Sequence, residues 1–255
     1  MQLKKRNMLR NKRFTPVQII AMGFAAIILI GAFLLSLPIA TIDGVKTPFI
    51  DCIFTSTSAV CVTGLVTVDT GTYWSYFGKT VIMLLIQIGG LGFMSFATLI
   101  ALIAGKRITL KERLLIRESI SLTSLQGIVR FARYILTFTF SIELIGALLL
   151  SIQFIPEFGL GKGIYYSIFH AVSAFCNAGF DLMGGYSSVT GYSGNALIIL
   201  TLSALIIIGG LGFYVWDDLY NYKINRRLSL QTKVVENEME SRPKYTQRRD
   251  KICSE

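Results

Sequence analysis

Four stretches of this chain each run for more than twenty residues with few ionisable side chains. They are Val17 to about Leu37, about Gly78 to Ala104, about Ala132 to Ile155, and about Asn195 to Trp216. A helix needs about 20 apolar residues to cross a hydrocarbon layer of ~30 Å. A water-soluble domain could not cover four such stretches with polar surface. The chain as a whole is 53% apolar and only 16% charged, against roughly a quarter charged in soluble domains. The expected fold class is therefore all-α and integral to a membrane.

The charges lie in blocks between these stretches, and the blocks fix an orientation. Of the 25 basic residues, six (Lys4 to Arg13) precede the first stretch, seven (Lys106 to Arg133) fall between the second and third, and nine (Lys223 to Lys251) follow the fourth. The segments facing the other side hold only Lys46, Lys79 and Lys162. By the positive-inside rule both termini are cytoplasmic, and four crossings return the chain to its starting side. Topology alone accounts for the net charge of +10, so no nucleic acid is expected as a partner. The basic start resembles a signal peptide, but Val17–Leu37 is long for one and is expected to be retained. Cys52, Cys61, Cys176 and Cys253 show neither metal spacing nor a disulfide pattern.

The chain also repeats itself. Gly31-Ala32-Phe33-Leu34-Leu35-Ser36 recurs as Gly146-Ala147-Leu148-Leu149-Leu150-Ser151, and Ser58-Ala59-Val60-Cys61 as Ser173-Ala174-Phe175-Cys176, both at an offset of 115. Gly64 then answers to Gly179. Ile88-Gly89-Gly90-Leu91-Gly92-Phe93 recurs unchanged as Ile208 to Phe213 at an offset of 120. Two parallel units follow, each read as span, short re-entrant segment, span, arranged about an axis along the membrane normal. The boundaries are a basic N-terminus (1–14), a first unit (15–105), a cytoplasmic linker (106–131), a second unit (132–220) and a polar tail (221–255).

Pro48 to Val60 and Lys162 to Phe175 are apolar but too short to cross, as buried or re-entrant helices are. Pro48 suits a helix start because its missing N–H has no partner there anyway, and Asp51 favours the positive helix end. Each short helix is followed by a glycine: Val62-Thr63-Gly64-Leu65 and Asn177-Ala178-Gly179-Phe180. Irregular backbone at membrane depth is tolerated where it lines a water-filled path, and its carbonyl oxygens can replace the hydration shell of a cation. The bland alternative is a pair of ordinary extracellular turns.

These residues resemble a known family. TSAVCVTGLVTVDTG followed by IQIGGLGFMSF, then HAVSAFCNAGFDL followed by IIGGLGF, are similar to the membrane subunit of Trk/Ktr/HKT potassium transporters, nearest the bacterial Ktr type, over about Phe14 to Lys233. The resemblance implies a potassium uptake subunit, not an enzyme, in the bacterial plasma membrane, with no cofactor beyond the transported potassium or sodium. It implies that Val62, Thr63, Gly64 and Leu65, with Asn177, Ala178, Gly179 and Phe180, are selectivity-filter residues offering backbone carbonyls. It also implies a cytosolic nucleotide-binding regulatory (RCK-type) subunit as partner. Family members carry four units around one pore, and two are read here. The chain is expected to be a truncated, split or half-length form, needing a second copy or a missing C-terminal half. The alternative function is a non-conducting membrane protein that binds a regulatory subunit through Lys106–Arg133 and Lys223–Arg227.

Other residues carry two readings each. Glu143, mid-span, is read as a hydrogen-bonded brace ahead of a functional carboxylate, although the latter is the default within a membrane. Asp69 and Asp181 either concentrate cations at the mouth or are solvated loop charges. Gly89-Gly90-Leu91-Gly92 and its copy are read as close-packing positions rather than hinges. His170 is read as structural. Gly191-Tyr192-Ser193-Gly194 resembles an intramembrane serine protease motif, but no histidine follows it to act as base.

Overall fold

The computed structural model describes residues 16–92, 128–212 and 215–216. The N-terminal basic block, the 106–131 linker apart from its last residues, the polar tail and the far end of the Gly78–Ala104 stretch lie outside them. Six α-helices make up most of what is described: α1 (Pro16–Leu35), α2 (Phe49–Val60), α3 (Tyr76–Leu91), α4 (Ile128–Phe158), α5 (Leu160–Phe175) and α6 (Ala196–Gly210). Short 3-10 turns occupy Pro38–Ala40 and Ser188–Tyr192. The only sheet-like pairing among the described residues is an isolated antiparallel bridge between Thr41 and Trp74.

Local chemistry sets the helix ends. Ser75 caps α3, its Oγ accepting from Gly78 N at 3.3 Å while donating to Ile39 O at 2.6 Å. Asn195 caps α6, its Oδ1 accepting from Leu197 N and Ile198 N. Such side chains satisfy N–H groups that have no partner inside the helix. Gly159, at φ +81°, ends α4 and serves as the N-cap of α5, a left-handed turn that glycine adopts without steric penalty. α4 is longer than the apolar run predicts, starting at Ile128 and passing through Pro156 to Phe158. A proline so near the end removes only one terminal hydrogen bond. Within α4, the stretch Arg133–Phe158 holds an 18-residue window with a mean hydropathy of 2.1, and α4 is the one described helix long and apolar enough to cross a membrane.

Packing follows the repeats. A side chain on Gly31 of α1 would run into Leu85 of α3, and one on Gly146 of α4 into Leu205 of α6. These are matched positions in the two copies. Small residues at such points let helix backbones approach closely. The core is built on Leu35, Trp74, Ile82, Ile86, Leu150, Phe154, Phe169 and Ile198, all buried. Outside it, Leu29, Ile30, Phe33, Leu144, Leu148, Ile152, Leu200 and Ile207 are each more than half exposed. Apolar surface on that scale belongs against lipid or protein, not water.

Candidate ion-coordinating site

The two short helices α2 and α5 end the same way. Cys61 N and Cys176 N donate to Thr57 O and Val172 O at 2.8 and 2.9 Å, and the next residues, Val62 and Asn177, take φ of +57° and +59°. Thr63 N then reaches back to Ser58 O at 2.9 Å, and Ala178 N to Ser173 O at 2.8 Å. This is the left-handed helix stop in which two terminal carbonyls are satisfied. Asparagine tolerates the left-handed region, but valine is a steric outlier there. Such strain gathers at functional positions.

Two residues further on, Gly64 and Gly179 both sit at φ +74°. The fold brings them together. A Cβ placed on Gly64 would lie 2.5 Å from Ala178 O and 3.4 Å from Gly179 Cα, while a Cβ on Gly179 would meet only Gly64 Cα, at 3.9 Å. Val62 and Gly64 are half-buried, Thr63, Leu65, Asn177 and Gly179 are exposed, and Ala178 and Phe180 are buried. Phe180 stands apart from the others because its carbonyl accepts the Ser173 hydroxyl at 2.6 Å, which ties that oxygen to α5. The C-terminal ends of α2 and α5, where helix dipoles are negative, immediately precede the two glycine segments.

The glycines of the GGLG copies support this arrangement from behind. A Cβ on Gly89 would collide with Val60 O, and one on Gly209 with Phe175 O. These carbonyls belong to the last residues of α2 and α5, so glycine lets α3 and α6 seat directly on the helix stops. Gly90 likewise has Cys176 Sγ against its missing side chain. Gly92 and Gly212, at φ +76° and +83°, also carry a left-handed backbone.

The loops that follow the two glycine segments are tied together by Asp69, read from sequence as either a cation-concentrating or a solvated loop charge. Asp69 Oδ2 accepts from Gly185 N at 2.5 Å and from the Thr72 hydroxyl at 2.8 Å, while Oδ1 accepts from Gly71 N at 3.1 Å. Lys79, buried, donates its Nζ to Gly71 O at 2.6 Å. Asp181 instead closes its own turn by accepting from Met183 N. His170 is structural: Nδ1 donates to Tyr166 O at 2.7 Å and Nε2 accepts from Leu182 N at 3.3 Å. Those two partners assign the neutral ring with its proton on Nδ1. Ser193 ends the Ser188–Tyr192 turn, its N–H bonded to Thr190 O.

Glu143 of α4 is buried and receives both its hydrogen bonds from Gln87 Nε2 of α3, at 2.9 and 3.2 Å. Sequence reading missed both Gln87 and the Asp69 tie. A lone polar residue in an apolar span was a usable signal for Gln87. Nothing marked Gly185 as the partner of Asp69.

The sequence pattern of TrkH, described as a cation transport protein, matches residues 4–239. The chain is 50% identical over 223 residues to the potassium/sodium uptake protein NtpJ of Enterococcus hirae, covering 88% of this chain and 49% of that protein. It is 46% identical over 235 residues to the Ktr system potassium uptake protein B of Bacillus subtilis, covering 92% of this chain and 52% of that protein. The protein of the same name in Vibrio alginolyticus is 38% identical over 205 residues, covering 80% and 44%. The chain thus spans about half the length of the curated relatives it matches.

Proposed function

This chain belongs to the TrkH family of cation transport proteins, membrane proteins that transport and are not enzymes, and from that premise we propose that it is a monovalent-cation uptake subunit, for potassium or for potassium and sodium. The observation that carries the reading is the meeting of Gly64 with Ala178 and Gly179 just past the C-terminal ends of two short buried helices. Two tandem units, 15–105 and 132–220, would each contribute a span, a pore helix and a second span. The carbonyls of Val62, Thr63 and Gly64, and of Asn177, Ala178 and Gly179, would replace part of the hydration shell of a passing ion. The two helix ends add negative potential. Leu65 completes the first segment, and Phe180 anchors the second through Ser173.

Two glycine segments make half of a four-sided ring, so the pore takes two more units, from a C-terminal continuation or from a second copy. The α3–α5 contact supplies the template for how such units would dock. There Thr80 Oγ1 meets the Tyr165 hydroxyl at 3.1 Å, and Tyr76 stacks edge-on against Tyr165. Their counterparts in the other copy, Leu200 of α6 and Ile50 of α2, are exposed at 68% and 77%, as docking faces would be. The basic blocks around 106–133 and 223–227 would face the cytoplasm with both termini and receive a nucleotide-binding regulatory subunit. The location is the bacterial plasma membrane.

The test is potassium uptake in a transport-deficient bacterium carrying this chain with the C-terminal half of a relative. Growth at low potassium, abolished or strongly reduced by Gly64→Ser or Gly179→Ser, is the expected result. A membrane-inserted assembly with no potassium flux above the empty strain would refute the reading.

A further inference from the structure

Glu143 and Gln87 together line one cleft. The cleft, about 280 Å³, runs between α3, α4 and α5. Its rim is apolar: Leu84, Phe140, Leu144 and Ile168 line it and are 40–61% exposed. Its floor is polar, with Glu143 5% and Gln87 6% exposed. A carboxylate can accept about four hydrogen bonds. Among the described residues only the Gln87 amide donates to this one. The repeat makes the pair more conspicuous, because the counterparts of Glu143 and Gln87 in the other copies are Ile28 and Ile207.

An acidic group at this depth is costly unless paired, and such groups mark binding sites or ion paths more often than decoration. The cleft wall selects against a hydrated metal ion, because apolar rims cannot replace its water. It selects for a ligand with an apolar body and one cationic donor head. We propose that this cleft is a binding site for a lipophilic ammonium, its hydrocarbon body between Leu84, Phe140, Leu144 and Ile168 and its head on Glu143. The N–H groups of the head donate to the carboxylate oxygens, and Gln87 holds the carboxylate in place. Val172, which also lines the cleft, is one turn before Cys176 at the end of α5. An occupant would thus sit behind the second glycine segment and bear on its position.

The site does not depend on ion conduction, so the test reads binding alone. Purified protein in phosphatidylcholine nanodiscs is photolabelled with a dodecylamine carrying a diazirine in its tail, and the labelled peptides are mapped by mass spectrometry. The expected result is labelling of the α4 and α5 segments around Phe140, Leu144 and Ile168. Excess dodecylamine should compete it away and dodecanol should not. Glu143→Gln, which keeps the size and the Gln87 contact, should cut labelling about fivefold or more through loss of the charged pair. Leu144→Trp, which fills the cleft and leaves the carboxylate, should do the same. Equal competition by dodecanol would make the cleft a groove for any hydrocarbon chain and overturn the proposal, whether or not either variant folds. Undiminished labelling of a folded Glu143→Gln protein would overturn it too.

Discussion

Asp69 and Gly185, 116 residues apart, are joined by a hydrogen bond of 2.5 Å from the backbone N–H of Gly185 to the carboxylate of Asp69. Each lies five or six residues past a glycine of the candidate site. The same carboxylate holds its own loop through Gly71 N and Thr72 Oγ1. Gly71 in turn abuts Leu182 O and Gly184 N, with no room for a side chain. One acidic residue thereby fixes the distance between the loops that follow the two glycine segments.

Asp69→Ala should lower stability by about 1–3 kcal/mol, since hydrogen bonds to an ionised acceptor are lost and three donors are left without it. Asp69→Asn should cost less, because one oxygen remains while the amide N–H₂ faces donors. Thermal unfolding in detergent measures both. In a conducting assembly the same variants should reduce discrimination of potassium over sodium, read as the ratio of half-saturation constants.

Gly64 and Gly179 share a backbone angle but not an environment, so alanine should separate them. At Gly64 the added Cβ meets Ala178 O as well as the left-handed strain, whereas at Gly179 the space is open. Left-handed backbone costs a non-glycine residue roughly 1–2 kcal/mol. Gly64→Ala should therefore be the more destabilising by more than about 1 kcal/mol, measured by melting temperature. Gly179→Ala should leave the fold intact while impairing uptake.

Val62, a β-branched residue at φ +57°, occupies the position that Asn177 fills in the other copy. Val62→Asn and Val62→Gly should keep or raise stability, by up to about 1 kcal/mol, through relief of the left-handed strain. A loss of stability in both variants would show that valine packing outweighs the backbone term. Denaturation midpoints decide it.

Gly89→Ala and Gly209→Ala should each destabilise by about 1–3 kcal/mol, because the methyl must displace the carbonyl of Val60 or Phe175. Gly161→Ala is the matched control. Gly161 is in the first turn of α5 with nothing within 4 Å of a Cβ, and alanine there should be neutral or stabilising by up to about 1 kcal/mol. Hinge glycines would instead show altered gating with little change in melting temperature.

Much of the architecture was legible because its signals are local. The short helix read as Pro48–Val60 is observed as Phe49–Val60 with Pro48 as its cap. The one read as Lys162–Phe175 begins two residues earlier, at Leu160, because Gly159 supplies a turn that the apolar pattern does not register. The packing reading of Gly89 and the structural reading of His170 both match what surrounds them. The positive-inside orientation rests on basic blocks almost wholly outside the described residues. The bond from Gly185 to Asp69 was not legible, since that partner is a backbone N–H with no identity in a sequence.

Apolar run length, the offsets of 115 and 120, and the placement of glycine after each short helix were determined by the sequence alone. Each depends only on neighbours along the chain or on self-similarity. Tertiary structure alone decided that Gly64 meets Ala178 and Gly179, that Asp69 reaches Gly185, and that Gln87 covers Glu143. Those pairings join segments 56 to 116 residues apart. They arise from how closely glycine lets helices pack and from which backbone groups are left needing a partner, and both are settled only when the copies are brought side by side.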